Sequence, residues 1–126
     1  MAIVSVSLDK ETIEEMNKIQ RELEYSGRSE VMRSALKHLS SEYKQRQELK
    51  GTIDAILLII HNEQGEPVNN IKHKYQGIVK TQIHNHLQNH KCLELFLLNG
   101  NASKINKMVD DFESNRKIEY VKLIVS

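Results

Sequence analysis

The chain has 126 residues, of which 39% are apolar and 28% are charged, and its net charge is +1. This length suits one medium domain or two small ones. The composition is that of an ordinary globular protein and excludes a low-complexity or fibrous chain. Residues 1–50 hold nine basic and nine acidic side chains, so bulk charge gives no indication of nucleic-acid binding.

The sequence predicts no membrane segment and no signal peptide. The longest apolar run covers residues 55–60 and is too short to span a bilayer. The N-terminus has no basic start followed by a long apolar stretch, so we expect a cytoplasmic protein. The single cysteine excludes an intrachain disulfide and leaves a thiol that can serve as a ligand, a nucleophile or a small buried hydrophobe.

Residues 1–50 are predicted to form one strand and two helices. Residues 3–8 alternate with a period of two, which is typical of a short strand. Asp9 is expected to cap a first amphipathic helix that reaches about Tyr25, and Ser29 to cap a second. The two faces of the predicted strand are Val4, Val6 and Leu8 and, opposite them, Ile3, Ser5 and Ser7.

Residues 51–126 alternate between strand and helix patterns. The predicted elements are a strand over 52–61, a loop over 62–66, a helix from Pro67 to about Gly77, a strand over 78–87, a turn over 88–91, a strand over 92–98, a helix capped within 99–101 and a strand over 118–125. Strand–helix–strand–strand–helix–strand is the ferredoxin-like order. We therefore predict an α+β protein with a boundary near residue 50 and domains 1–50 and 51–126.

A lone strand followed by two helices lacks partners for its backbone N–H and C=O groups. Two copies can solve this by pairing their strands antiparallel, with four helices packed beneath. This arrangement resembles the ribbon-helix-helix (β-α-α) family of repressors over about residues 2–45. The resemblance implies a two-stranded ribbon in the major groove of double-stranded DNA and a helix N-terminus on a phosphate. The implied contact residues are Ile3, Ser5, Ser7, Arg28 and Ser29.

Two properties of this segment leave the DNA contacts open. A strand with serines on one face is also typical of a solvated sheet edge. Ile3 stands where ribbon-helix-helix relatives often carry a cationic residue, so a thymine methyl group is its alternative contact.

A metal site is predicted in the second domain. His84 and His86 lie two apart on a predicted strand and therefore share a face. The turn that follows brings Cys92 beside them, and two imidazoles with one thiolate suit a borderline or soft divalent ion. Glu94 shares the face of Cys92. His61 and His90 are interpreted as solvent-facing, with a weak secondary metal site as the alternative.

These positions are similar to those of the NikR family of nickel-responsive repressors. The family's sensor site has a histidine, a His-x-His eleven residues later and a cysteine six residues beyond, matching His73, His84, His86 and Cys92. The resemblance covers almost the whole chain and implies an ACT-like (βαββαβ) sensor domain, Ni(II) as cofactor and a homotetramer built as a dimer of dimers. It also implies that His73 binds the metal of a different subunit, and that the protein represses metal-uptake or metal-homeostasis genes.

The same residues also bear on whether the protein has a different function. Catalysis by the metal would need an open coordination position, which four protein ligands do not leave, so we expect no enzyme. An ACT-like regulator that senses a small metabolite remains an alternative, as does a sensor of copper, cobalt or zinc. An antitoxin is disfavoured because the second domain is well patterned.

Overall fold

The computed structural model of the protein describes residues 1–62 and 65–126. These residues divide into two units, residues 1–45 and 46–126. The predicted boundary near residue 50 lies a few residues further along the chain, in the segment between the second helix and the first strand.

The N-terminal unit is built on α1 (Lys10–Glu22) and α2, which runs over Arg28–Gln47 and ends two residues past the unit. Asp9 caps α1 as predicted, because its Oδ1 accepts a hydrogen bond from the Thr12 amide at 2.7 Å. The predicted cap at Ser29 is wrong, since α2 begins one residue earlier and Ser29 lies in its first turn. The Glu30 carboxylate instead accepts hydrogen bonds from the amide and hydroxyl of Ser26.

Residues 1–9 adopt no regular secondary structure, so the predicted strand is not formed in the single chain. Val4 and Val6 are 82% and 64% exposed in the single chain. The physical reason is that a strand needs a neighbour for its hydrogen bonds. Within the described part of one chain, no strand pairs with this segment.

The C-terminal unit has the predicted ferredoxin-like order. Its elements are β1 (Thr52–Asn62), α3 (Glu66–Lys74), β2 (Val79–His86), β3 (Lys91–Asn101), α4 (Ala102–Glu113) and β4 (Ile118–Val125). The strands form an antiparallel sheet in the order β2-β3-β1-β4. The predicted loop over 62–66 is shorter than expected, because its first residue ends β1 and its last begins α3; residues 63–64 lie outside the described residues.

One face of the sheet is covered by helices and carries the core. Strand side chains on this face pack with α4 and α3 in a single apolar cluster. Its fully buried members are Leu57, Ile59, Val68, Phe96, Ile105, Met108, Val109 and Phe112. Because side chains alternate along a strand, the next residues in sequence lie on the opposite face, where Leu97 and Ile124 are 40% and 46% exposed.

The end of β3 differs from the prediction. The strand continues to Asn101, three residues past its predicted end at Leu98. Asn101 then caps α4 as expected, because its Oδ1 accepts a hydrogen bond from the Ser103 amide at 2.9 Å. None of the helices in the described ranges is long and apolar enough to cross a bilayer.

Candidate metal centre

Three strands bring polar side chains together at one end of the sheet. His86 lies opposite Cys92 and His84 opposite Glu94 in the β2–β3 pairing. His61 lies opposite Cys92 in the β1–β3 pairing. Residues that pair across strands project from the same face, so all five side chains lie on the helix-covered face of the sheet.

The turn between β2 and β3 sets this register. Asn89 and His90 have φ of 61° and 59°, in the left-handed region that only a few residue types adopt easily. The Leu87 amide donates to the carbonyl of Lys91 at 2.7 Å and closes the turn. The hairpin predicted from the sequence is therefore present, and His90 is exposed on it as expected.

His84, His86 and Cys92 form a group of three donors. Their ligand atoms all lie within 4.8 Å of one another, and Cys92 Sγ lies 3.5 Å from His86 Nδ1. Donors bound to one ion at about 2.0–2.3 Å are separated by at most about 4.6 Å. The described arrangement is therefore close to what a single ion needs. The thiol is 1% exposed while both histidines are exposed, so the group is open to solvent on the histidine side.

His73 is not part of this group. It is exposed on the last turn of α3, and the donor cluster found among the described residues has the three members above. Its assignment to the metal of another subunit stays a prediction.

Two buried polar residues, His61 and Glu94, lie beside the group. The prediction that His61 faces solvent is wrong, because its exposed fraction is 1%; that of Glu94 is 3%. Their positions could have been found from period two. His61 continues the buried series of Ala55, Leu57 and Ile59 along β1, and Glu94 sits between buried Cys92 and Phe96 on β3.

The predicted DNA-contact residues lie in the N-terminal unit and are all exposed. They are Ile3, Ser5, Ser7, Arg28 and Ser29. Arg28 is oriented by a hydrogen bond from its Nε to Asn17 Oδ1 at 3.3 Å. The first turn of α2 thus offers a guanidinium and a hydroxyl to solvent.

The sequence matches known families over nearly its whole length. The profile of the NikR C-terminal nickel-binding domain matches residues 51–126. The profile of ribbon-helix-helix proteins of the copG family matches residues 2–41. The chain belongs to the NikR family.

Relatives of known sequence agree with this. A protein of Methanocella arvoryzae is 32% identical over 124 residues, covering 95% of this chain and 89% of its own. A protein of Halobacterium salinarum is 29% identical over 120 residues, covering 92% and 84%. Both are named as candidate nickel-responsive regulators. A solved structure from Thermotoga maritima is 13% identical and shares the fold alone, with a TM-score of 0.54 over 60% of this chain and 98% of that one.

NikR membership decides between several predictions. The family is regulatory, which confirms that the chain is not an enzyme. Its C-terminal domain is a nickel-binding domain, so Ni(II) is the expected cofactor. Two imidazoles and a buried thiol within 4.8 Å fit this ion, because nickel accepts nitrogen and thiolate donors.

Proposed function

We propose that the protein is a DNA-binding repressor of metal-uptake or metal-homeostasis genes and that Ni(II) binding controls its activity. The ion would be held by His84, His86 and Cys92, with His73 of the partner subunit as fourth ligand. The observation that carries this proposal is the group of three donors within 4.8 Å, in a chain whose residues 2–41 match a ribbon-helix-helix profile.

The ligand set explains how an ion can act on assembly. When bound, Ni(II) supplies bonds to four ligands that meet only in certain arrangements of the subunits. The ion therefore shifts the population toward those arrangements. His84 and His86 are held in place by the hairpin, while His73 lies on a separate helix. The distance between two ribbons on DNA is the quantity that such a shift would change.

The N-terminal unit supports pairing with a second copy. A groove of about 550 Å³ lies between residues 1–8 and α2, lined largely by apolar side chains. Met32, Leu36 and Leu39 on α2 are 44%, 64% and 64% exposed. An exposed apolar stripe of this kind is unfavourable in water and favours burial against a partner. Pairing would supply the missing strand neighbour of residues 3–8 and form the ribbon that reads the major groove.

The C-terminal unit supports further association into a tetramer. The sheet face opposite the helices is apolar along its two central strands. Its apolar residues are Ile56, Leu58 and Ile60 on β1, Ile83 on β2, Leu93, Leu95 and Leu97 on β3, and Tyr120 and Ile124 on β4. Thr81, Asn85 and Lys122 are polar residues of the same face on the two outer strands. A sheet face this apolar gains stability when it is covered.

Binding to chromosomal DNA would place the protein in the cytoplasm.

The test measures nickel binding and its effect on DNA affinity. Apo protein is titrated with Ni(II) by calorimetry, and a duplex selected from a random library by the nickel-loaded protein is used to measure DNA affinity with and without the ion. We expect nickel to raise DNA affinity roughly 5–150-fold, the usual range of coupling between two sites. His86→Ala and Cys92→Ala should abolish tight nickel binding and this gain, while His38→Ala, at an exposed histidine of α2, should change neither.

Two outcomes would contradict the proposal. Equal DNA affinity in the presence and absence of nickel would refute metal control. Wild-type nickel affinity in both ligand variants would refute the site and favour a metabolite sensor of the same fold.

A further inference from the structure

A buried carboxylate and a buried imidazole lie directly behind the proposed metal centre. Glu94 and His61 are the two polar residues in the described core, and neither is among the proposed ligands. Their side chains are 4% and 2% exposed, whereas that of His84 beside them is 43% exposed. A buried carboxylate is unfavourable unless hydrogen bonds compensate it. The side chains that contact Glu94 therefore indicate its role.

Each oxygen of Glu94 has its own contacts. Oε1 lies 2.5 Å from His84 Nδ1, within ion-pair distance. Oε2 accepts a hydrogen bond from Gln82 Nε2 at 3.1 Å. His61 closes the third side, with its Nε2 at 3.7 Å from Oε1 and its ring edge-on to that of His84 at a centroid distance of 6.3 Å. The carboxylate is thus held by a hydrogen bond from Gln82 of β2, while the buried Nε2 of His61 lies near it without a hydrogen-bond partner among the described residues.

A neutral imidazole has one N–H donor and one lone pair, and the partner of one nitrogen decides which is which. An ionised carboxylate can only accept, so the contact of Glu94 with Nδ1 of His84 would favour the proton on that nitrogen and leave the lone pair on Nε2. His86 differs, since its Nδ1 faces Cys92 Sγ. The two histidines would therefore offer different ring nitrogens to one ion.

We propose that Glu94 is a positioning residue of the metal centre. It holds His84 in the Nδ1–H tautomer with Nε2 free for the ion, and Gln82 holds Glu94 in turn through its hydrogen bond. This inference rests on the proposed nickel site. A carboxylate behind a histidine ligand both orients the ring and raises its basicity, so the buried charge strengthens the bond from His84 to the ion.

The experiment measures the tautomer of His84 and the Ni(II) affinity of the protein separately. In the full-length apo protein with ¹⁵N-labelled histidine, long-range ¹H–¹⁵N correlation reports which nitrogen of His84 is protonated. Competition with a chelator gives the Ni(II) affinity. We expect the Nδ1–H form in the wild type. In Glu94→Leu we expect loss of that form and an affinity lower on the order of 10–100-fold.

Two further variants separate positioning from packing. Glu94→Gln keeps an oxygen that can accept from Nδ1–H but loses the charge, so it should retain the tautomer and have a nickel affinity between those of Glu94→Leu and the wild type. Phe96→Leu alters the next buried residue on the same strand and face but removes no acceptor. It should lower stability and leave both the tautomer and the nickel affinity of the folded protein unchanged.

Several results would overturn the inference. An Nε2–H form of His84 in the apo wild type would do so without any variant. So would unchanged nickel affinity in Glu94→Leu, or an equal loss of affinity in Phe96→Leu. Absence of nickel binding in the wild type would instead refute the proposed function, which keeps the two failures distinct.

Discussion

At the scale of single residues, Tyr75 anchors the end of α3 that carries His73. Its hydroxyl donates to Asp111 Oδ2 at 2.6 Å, and Lys74 Nζ donates to the same oxygen at 3.0 Å. We predict that Tyr75→Phe lowers the free energy of unfolding by about 1–2 kcal/mol at neutral pH, since it removes a hydrogen bond to a charged group that is partly exposed. Urea unfolding of the apo protein measures this, with Lys104→Ala at an exposed position of α4 as control.

The same contact has a predictable pH dependence. The hydrogen bond from Tyr75, opposed by burial and supported by Lys74, keeps the pKa of Asp111 below its usual value. A lowered pKa in the folded state stabilises the protein above the unfolded-state pKa, and this stabilisation is lost as the pH falls through the folded value. The difference between wild type and Tyr75→Phe should therefore be largest at neutral pH and shrink below about pH 4. A difference that stays constant into acid would contradict this.

At the scale of elements, the contact between β3 and the start of β2 depends on Gly100. A Cβ added there would lie 2.5 Å from Cγ2 and 3.0 Å from Cβ of Ile78, which is 5% exposed and cannot move aside. We predict that Gly100→Ala lowers the free energy of unfolding by about 1–3 kcal/mol, the usual cost of overpacking. Thermal or urea unfolding measures the change.

Two variants test this explanation. Gly77 has open space around it and an ordinary φ, so Gly77→Ala should be neutral or slightly stabilising. In an Ile78→Ala background, Gly100→Ala should cost less than in the wild type because the clashing methyl group is gone. Equal costs in both backgrounds would refute the steric argument.

At the scale of the whole molecule, the open sheet face is the surface that we propose to join subunits. Leu97 is central on this face and 40% exposed in the single chain. We predict that Leu97→Glu converts the proposed tetramer into a smaller species, because covering the face would then bury a carboxylate without a partner. Light scattering coupled to size-exclusion chromatography gives the mass. Lys104→Glu, on the exposed side of α4, should leave the mass unchanged, and a tetramer that survives Leu97→Glu would show that another surface joins the subunits.

The sequence alone determined the element order of the C-terminal unit, the hairpin and the donor group. Period two places His84, His86 and Cys92 on one sheet face, and the polar turn between them requires an antiparallel pair. Local patterns were weaker at boundaries. β3 runs three residues further than predicted because its pairing with β1 continues to Asn101. α2 begins at Arg28, so Ser29 lies inside the helix although a serine is also suited to the capping position.

Only the tertiary structure decided the surroundings of the metal centre. Period two along β1 indicates that His61 lies on the buried face. Nothing in its separation of 31 residues from Cys92 indicates that β1 pairs with β3 and places the ring beside Glu94. Residues 3–8 have the local pattern of a strand but do not form one, since no strand in the described part of the single chain pairs with them. Period and spacing are local properties of a chain, whereas burial and strand pairing depend on which distant segments meet.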